Sequence, residues 1–356
     1  MNFEKISLLI IAGGKSSRLG QDKRFVEVGG VKLLENILQK AAKENFAEIF
    51  LCVEREILPI QILSWKYEAK ILVDKVKNSE PILELANGLS KIKTKWALAV
   101  SADMPFFDFE IFKSLEKFPA VKAVVPVVEK NFQPLAGFYH KSLANFFAEE
   151  IQNNQTDVLN AVKKIPHKFL KLSAEKIFFK IDTQADLRLA QCRVANLSRE
   201  VPIISVVSSS LEAEKNNFIE KLIKILAEEK ISVGVIKNLS QDFNFEIEGV
   251  KNFQDAGAKN VAAISAQGWL MIQKTDKREN FLSVAEKMSD ADLILIDSKI
   301  TLAEPAILIW HGQEDIIFDK KVAAIFSDVP KVTDEIFQFD LNDIEAAVKI
   351  CKFLMR

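Results

Sequence analysis

Three places in this 356-residue chain hold residue types at spacings that could do chemistry. The densest is Leu8 to Lys23, LLIIAGGKSSRLGQDK. An apolar run, Ile6 to Ile11, leads directly into Gly13-Gly14, and Lys15, Ser16, Ser17, Arg18, Gly20, Asp22 and Lys23 follow. Five of the 12 glycines lie between Gly13 and Gly30. A chain this sparing with glycine concentrates it where backbone must approach something closely or take a positive φ. A loop at the carboxyl end of a strand, rich in backbone N–H groups and holding Arg and Lys, suits a polyphosphate. A lone Gly-Gly would be a tight surface turn; with Arg18 and Lys23 close behind a buried strand, phosphate binding is the better reading. The second place is Asp103, just past the run Trp96 to Ser101, in Ala102-Asp103-Met104-Pro105-Phe106. A carboxylate at a strand end beside a phosphate loop suits Mg²⁺, which pairs one or two carboxylates with substrate phosphates. A helix-capping role falls better to Asp108. The third is Asp182, at the end of Phe178-Phe179-Lys180-Ile181-Asp182-Thr183, where capping of the following helix is a real competitor.

These residues need a scaffold, and the apolar pattern supplies one. Strands are expected at Ile6 to Ile11, Ala47 to Val53, Lys70 to Val73, Trp96 to Ser101, Ala120 to Val128, Phe132 to His140 and Phe178 to Thr183. Helical spacing marks Leu33 to Lys43, Pro81 to Ile92, Phe109 to Lys117, Ser142 to Ile151, Asp157 to Lys164 and Thr183 to Val194. Strands alternating with helices imply a mainly parallel sheet covered on both faces, with ligands beyond the carboxyl ends of the strands.

The glycine loop fits neither a Walker A nor a G-x-G-x-x-G fingerprint. It resembles the AGG-x-S-x-R-[ML]-G-x-D-K signature of nucleotidyltransferases, and most closely the molybdenum cofactor guanylyltransferase (MobA) family. Ala12, Gly13, Gly14, Ser16, Arg18, Leu19, Gly20, Asp22 and Lys23 are all in register. Related cytidylyltransferases carry Ala-Ala-Gly here, so Gly13 favours a purine. Asp103-Met104-Pro105-Phe106 matches the family's D-x-P-[FY], whose Asp binds the metal, with Ala102 in place of a Cys. Gln133 to Tyr139 resembles the family's P-L-x-x-[LF]-Y strand. Asp182 matches the last residue of N-x-[ND], which points at metal and phosphates, and Asp74 matches an Asp near the base. The resemblance therefore implies nucleotide binding by Ile11, Ala12, Gly13, Gly14, Ser16, Arg18, Lys23, Asp74 and Asp103. It implies Arg18, Lys23 and Asp103 as catalytic residues, and Asp103 and Asp182 as Mg²⁺ ligands. Two departures stand out: Lys180 replaces an Asn, and Glu80-Pro81-Ile82-Leu83-Glu84 replaces G-P-L-x-G, a segment lining base and ribose.

A second α/β pattern begins at Ile203 to Val207. It continues with a helix at Asn217 to Glu228, strands at Ile231 to Ile236, Val261 to Ser265, Leu293 to Asp297 and Ala323 to Phe326, and a closing helix at Asn342 to Phe353. This half resembles MobB, a P-loop protein. Its Walker A is eroded: Ser208 to Asn216 holds no glycine, Lys215 remains as a remnant of the Walker lysine, and Asn216 lacks the hydroxyl for Mg²⁺. Glu212 and Glu214 add negative charge, and Asp297-Ser298-Lys299 replaces the family's E-G segment. Without a backbone cradle, no working NTPase is expected here. The expected fold class is α/β, with two three-layer domains. A Rossmann-like nucleotidyltransferase domain spans 1–196, a linker 197–202, and a degenerate P-loop NTPase-like domain 203–356.

Composition bounds the partners. Hydrophobic residues make up 49% and charged residues 27%, as in a globular protein with ample core. A net charge of -1 argues against broad nucleic-acid binding. No apolar run approaches the roughly 18 residues of a membrane span. Cys52, Cys192 and Cys351 are too dispersed for a metal or redox motif. A cytoplasmic location is expected.

The resemblance implies transfer of GMP from GTP to molybdopterin, or to Mo-molybdopterin, giving the guanine dinucleotide cofactor and pyrophosphate. Molybdoenzymes or other cofactor-assembly proteins would be further partners. Two alternatives differ: a related nucleotidyltransferase using CTP or a sugar or alcohol phosphate, and a non-catalytic binding protein of cofactor assembly.

Overall fold

The computed structural model of the chain describes residues 3–13, 18–74, 80–113, 120–173, 175–208, 212–237, 239, 250–266, 268–273, 275, 279–299, 303–312 and 319–355. The chain divides into two compact units, Met1–Gln191 and Cys192–Arg356.

The first unit contains β1 (Ile6–Ile11), β2 (Glu27–Val28), β3 (Val31–Lys32), α1 (Leu33–Ala41), β4 (Glu48–Val53), α2 (Leu58–Lys66), β5 (Lys70–Val73), α3 (Pro81–Lys91), β6 (Trp96–Ser101), β7 (Ala123–Val128), β8 (Asn131–Phe132), β9 (Phe138–His140), α4 (Leu143–Gln152), α5 (Val158–Val162), β10 (His167–Leu172) and the start of α6 (Gln184–Leu197). The main sheet runs β10-β7-β9-β6-β1-β4-β5, with β8 attached to β7. β1 pairs in parallel with β4 and β6, whereas β9 is antiparallel to both β6 and β7.

β1 is buried at all six positions, and strand geometry explains its unbroken apolar run. Side chains alternate between faces. Leu8 and Ile10 enter one core with Leu34, Leu38 and Phe107, while Leu9 and Ile11 enter another with Leu85, Leu89 and Phe147. A strand covered on both faces has no polar side to present.

Several expected elements differ in the structure. Phe178 to Thr183 is not a strand: a 3-10 turn covers Glu175–Phe178, and the chain then runs irregularly into α6. Phe178 and Ile181 are buried there as plugs rather than as one face of a ladder. Phe132 to His140 is broken by a 3-10 turn at Pro134–Ala136, since Pro134 cannot donate a ladder hydrogen bond. Phe109 starts a 3-10 turn, Phe109–Phe112, and residues 114–117 of that expected helix lie outside the described residues. Helix α2 and strand β10 were not anticipated.

The second unit begins within α6 and continues with β11 (Ile203–Val207), α7 (Glu212–Glu228), β12 (Val233–Lys237), α8 (Val250–Asp255), β13 (Asn260–Ser265), β14 (Gly268–Gln273), α9 (Phe281–Ala285), β15 (Leu293–Ser298), β16 (Ala306–Trp310), β17 (Val322–Ser327), β18 (Phe337–Asp340) and α10 (Ile344–Leu354). Its main sheet, β12-β15-β11-β16-β17-β18, is parallel throughout. The expected strand near Val261 belongs instead to a separate two-stranded hairpin, β13–β14. Helix α7 starts five residues earlier than expected and buries Lys215, Phe218, Ile219, Leu222 and Leu226, one helical stripe. Among the described residues, no helix is long and apolar enough to cross a membrane.

Candidate active site

The carboxyl ends of β1, β4 and β6 are held level by backbone bonds just beyond the strands. Ala12 N donates to Cys52 O at 2.9 Å, and Ala102 N donates to Ile11 O at 3.0 Å. This places Gly13 and Asp103 side by side, each at the mouth of its strand. Ile11, Ala12, Gly13, Lys23, Ala102 and Asp103 share the walls of a cleft of ≈ 190 Å³. A larger recess of ≈ 660 Å³ beside α2 is lined by Trp65, Lys66 and their neighbours, and no strand-end carboxylate faces it. The smaller cleft is the candidate site.

Two local devices aim charged groups at the cleft. Asp22 caps the short turn Lys23–Phe25, accepting from Arg24 N at 3.1 Å and pairing with the Arg24 guanidinium at 2.6 Å. Burial pushes the Asp22 carboxyl up, but Arg24 outweighs it and holds the group below its usual range. Asp22 is thus spent on shaping the turn, and Lys23 projects from it. At the head of α6, Thr183 and Asp186 form a capping box: Asp186 Oδ2 accepts from Thr183 N at 2.8 Å, and Asp186 N donates to Thr183 Oγ1 at 3.2 Å. Asp182 Oδ1 instead meets Lys23. Two further bonds fix the segment: Ile181 N to Asp103 O at 3.1 Å and Gln184 Nε2 to Leu19 O at 2.7 Å.

The result is a lysine between two carboxylates. Lys23 Nζ lies 2.8 Å from Asp103 Oδ2 and 2.6 Å from Asp182 Oδ1. Burial opposes the charge on Lys23, but the two carboxylates more than offset it and raise its pKa. The second oxygen of Asp103, Oδ1, is buried and has no hydrogen-bond partner among the described residues. A buried, unpartnered carboxylate oxygen beside a second carboxylate is an all-oxygen donor set that fits a hard divalent cation. Among the described residues no group of three or more His, Cys, Asp or Glu side chains could hold a metal, so phosphate oxygens would complete such a site.

The other residues singled out from sequence fall as follows. Gly14 and Ser16 lie outside the described residues. Arg18 is exposed. Asp74 is buried just past β5 and accepts a hydrogen bond from Asn87 Nδ2; it does not line the cleft. Glu84, one of the two departures, is buried on the first turn of α3 and accepts from Gly13 N at 3.2 Å. A Cβ on Gly13 would lie 1.9 Å from Glu84 Oε1, so any larger residue requires this carboxylate to move. The sequence reading missed the Thr183–Asp186 box, although its Thr-x-x-acid spacing was visible. It also missed Asn36 and Lys40, whose polar positions on α1 carry no signature.

In the second unit, the strand-end charges close on one another. Lys215 Nζ lies 2.5 Å from Asp297 Oδ1 and donates to Ser298 O at 2.9 Å; Lys237 Nζ lies 2.9 Å from Asp297 Oδ2. Burial raises the Asp297 carboxyl, but the two lysines prevail and hold it below its usual range.

Comparison with known proteins finds a match for each half of the chain. Residues 8–165 match the MobA-like NTP transferase domain, and residues 203–328 match molybdopterin guanine dinucleotide synthesis protein B, MobB. A Trichormus variabilis protein named "Probable molybdenum cofactor guanylyltransferase" is 28% identical over 205 residues, covering 54% of this chain and 94% of that protein. A Natronomonas pharaonis protein of the same name is 28% identical over 200 residues, covering 52% and 97%. A solved Archaeoglobus fulgidus structure, molybdopterin-guanine dinucleotide biosynthesis protein A, has 23% identity and a TM-score of 0.45, covering 52% of this chain and 97% of that one. The chain thus carries a MobA-like NTP transferase domain over residues 8–165 and a MobB domain over residues 203–328.

Proposed function

We propose that this chain is a molybdenum cofactor guanylyltransferase. It would transfer GMP from GTP to molybdopterin, with or without bound molybdenum, and release pyrophosphate. The observation that carries the reading is the convergence of Lys23, Asp103 and Asp182 beside Gly13 at the strand ends. The terminal phosphate of the pterin forms a bond to the α-phosphorus of GTP, and the bond from that phosphorus to the β-phosphate oxygen breaks. The nucleophile is already an anion, so no general base is needed. Bound at Asp103 and Asp182, Mg²⁺ would supply charge neutralisation at the α-phosphate. Lys23 supplies a cation that can move from carboxylates to phosphates, and Arg18 a second one for the leaving pyrophosphate. The backbone at Ala12 and Gly13 would lie along the triphosphate, and Gly14, Ser16 and Asp74 are carried as nucleotide contacts by the sequence resemblance alone. A cytoplasmic location follows from this reading.

The second unit would bind no nucleotide in this account. Lys215 is the remnant of a phosphate-binding lysine, and its charge is consumed by Asp297.

Nucleotide choice is the direct test. Thermal melting with GTP and Mg²⁺ should shift upward by several degrees, and by far less with CTP, because only a ligand of the folded state stabilises it. A larger shift with CTP would move the reading to a cytidylyltransferase. No shift with any nucleotide would favour a carrier role.

A further inference from the structure

Asp103 sits on a short loop after β6, and something must hold that loop against the pull of Lys23 and of a bound cation. The hold is visible two residues on, at the carbonyl of Pro105. Asn36 Nδ2 donates to Pro105 O at 2.6 Å, and Lys40 Nζ donates to the same oxygen at 2.7 Å. The two donors lie four residues apart on α1, on one helix face. Between Asp103 and Pro105 lies Met104, 1% exposed and packed in the same core as Leu34, Leu38 and Phe107. The loop is therefore anchored by packing at Met104 and by a two-donor clamp at Pro105, immediately after the carboxylate.

Lys40 is a costly way to make that clamp. Among the described residues it forms no ion pair, and its ammonium is turned inward onto a backbone carbonyl. Burial pushes its pKa down to about 8, with the charge on Lys43 acting the same way and that on Asp108 acting against it. Partly burying an ammonium is unfavourable, and here the bond to Pro105 O and the nearby charge of Asp108 offset that cost. Its return is positional: a charge-assisted bond shorter and stiffer than a neutral one.

We propose that Asn36 and Lys40 are positioning residues for the nucleotidyl-transfer site, holding the Asp103 loop in register through the Pro105 carbonyl. This rests on the guanylyltransferase reading only through the identity of the substrates. The clamp acts on Asp103 whatever nucleotide is used. A small displacement of a metal-binding carboxylate from its productive geometry is enough to cost one to two orders of magnitude in rate.

The test uses the full chain with Lys40→Met, Lys40→Arg and Asn36→Leu. Lys40→Met keeps the aliphatic stem and removes the donor. Its kcat for GMP transfer should fall about tenfold or more, its KM for GTP should stay within about threefold, and its melting temperature at pH 7 should be no lower than that of the parent. Lys40→Arg should recover most of the rate, and Asn36→Leu should show a smaller loss with the same pattern. Mn²⁺-dependent GTP binding, measured by calorimetry, gives a readout that needs no acceptor. The gain in affinity on adding Mn²⁺ should shrink in Lys40→Met. If the parent transfers no GMP but this Mn²⁺ effect shrinks, the substrate reading fails and the clamp stands. A kcat within twofold of the parent, an unchanged Mn²⁺ effect, or a rate loss that merely follows a fall in melting temperature would overturn the proposal.

Discussion

Each unit gathers lysine and aspartate side chains near the carboxyl ends of its parallel strands, yet the two clusters are in opposite states. In the first, Lys23 is shared by two carboxylates, Asp182 is half exposed, and Asp103 Oδ1 has no partner among the described residues. In the second, Lys215 and Asp297 are almost wholly buried, both Asp297 oxygens are taken by lysines, and Lys215 spends a further bond on Ser298 O. One cluster keeps an unsatisfied acceptor beside a cleft, which a ligand can complete. The other pairs its lysines and its aspartate with one another, although Ser208 Oγ just past β11 has no partner among the described residues. In the proposed function, ligand binding depends on unfinished bonding beside a cleft, not on the residue types alone.

The contrast can be broken most severely at Asp103. Asp103→Asn keeps the shape and removes the charge, so the melting temperature should change little. Turnover should fall by roughly 10³, the scale of losing several kcal/mol of transition-state charge stabilisation. Lys23→Met comes next. It should reduce kcat/KM by about 10², the loss expected on removing one cation from developing charge. Its pH signature is separate. Lys23 has a raised pKa in the folded state, so its contribution to stability is fully present below the unfolded lysine value. It is lost as pH rises through the folded value, above about 10.5. The parent should lose that increment in alkaline melts, and Lys23→Met should not.

Gly13→Ala should have a smaller effect, about tenfold on GTP affinity. Its Cβ collides with the Glu84 carboxylate, which must swing away, at an expected stability cost of about 1–3 kcal/mol. Lys215→Met should leave GMP transfer and GTP stoichiometry unchanged, while destabilising the second unit by about 3–5 kcal/mol, the usual result of stranding a buried charge. Asp297 is held low by its lysines, so the stability it gives is present above about pH 4 and lost as pH falls through its folded value. That acid transition should be weakened in the variant. Loss of GTP binding on Lys215→Met would erase the distinction between the two clusters.

Much of this was legible in the chain itself because the relevant signals are local. Ile6 to Ile11 is a buried strand by composition alone, and the residues at its mouth carry a dense motif. Asp103 follows from position at a strand end, which depends only on the strand being recognised. The Asp182 segment was misread as a strand because Phe178, Phe179 and Ile181 look like a β pattern. Their burial comes from plugging the core beside Asp103, a tertiary fact. β10 was missed because its alternation, His167 to Leu172, is half exposed and lysine-rich, as edge strands are. The Lys23 bridge joins residues 80 and 159 positions apart and could not be read from spacing. The same holds for the Pro105 clamp, which uses one carbonyl and two ordinary polar residues of a surface helix.

The most direct measurement is chromatographic identification of the product made from GTP and molybdopterin with Mg²⁺, in parallel for the parent chain, Asp103→Asn and Lys215→Met. The account predicts the guanine dinucleotide and stoichiometric pyrophosphate from the parent and from Lys215→Met, and a yield lower by about 10³ from Asp103→Asn. Undiminished product from Asp103→Asn, or product that disappears only with Lys215→Met, would place the chemistry in the wrong half of the chain and contradict it.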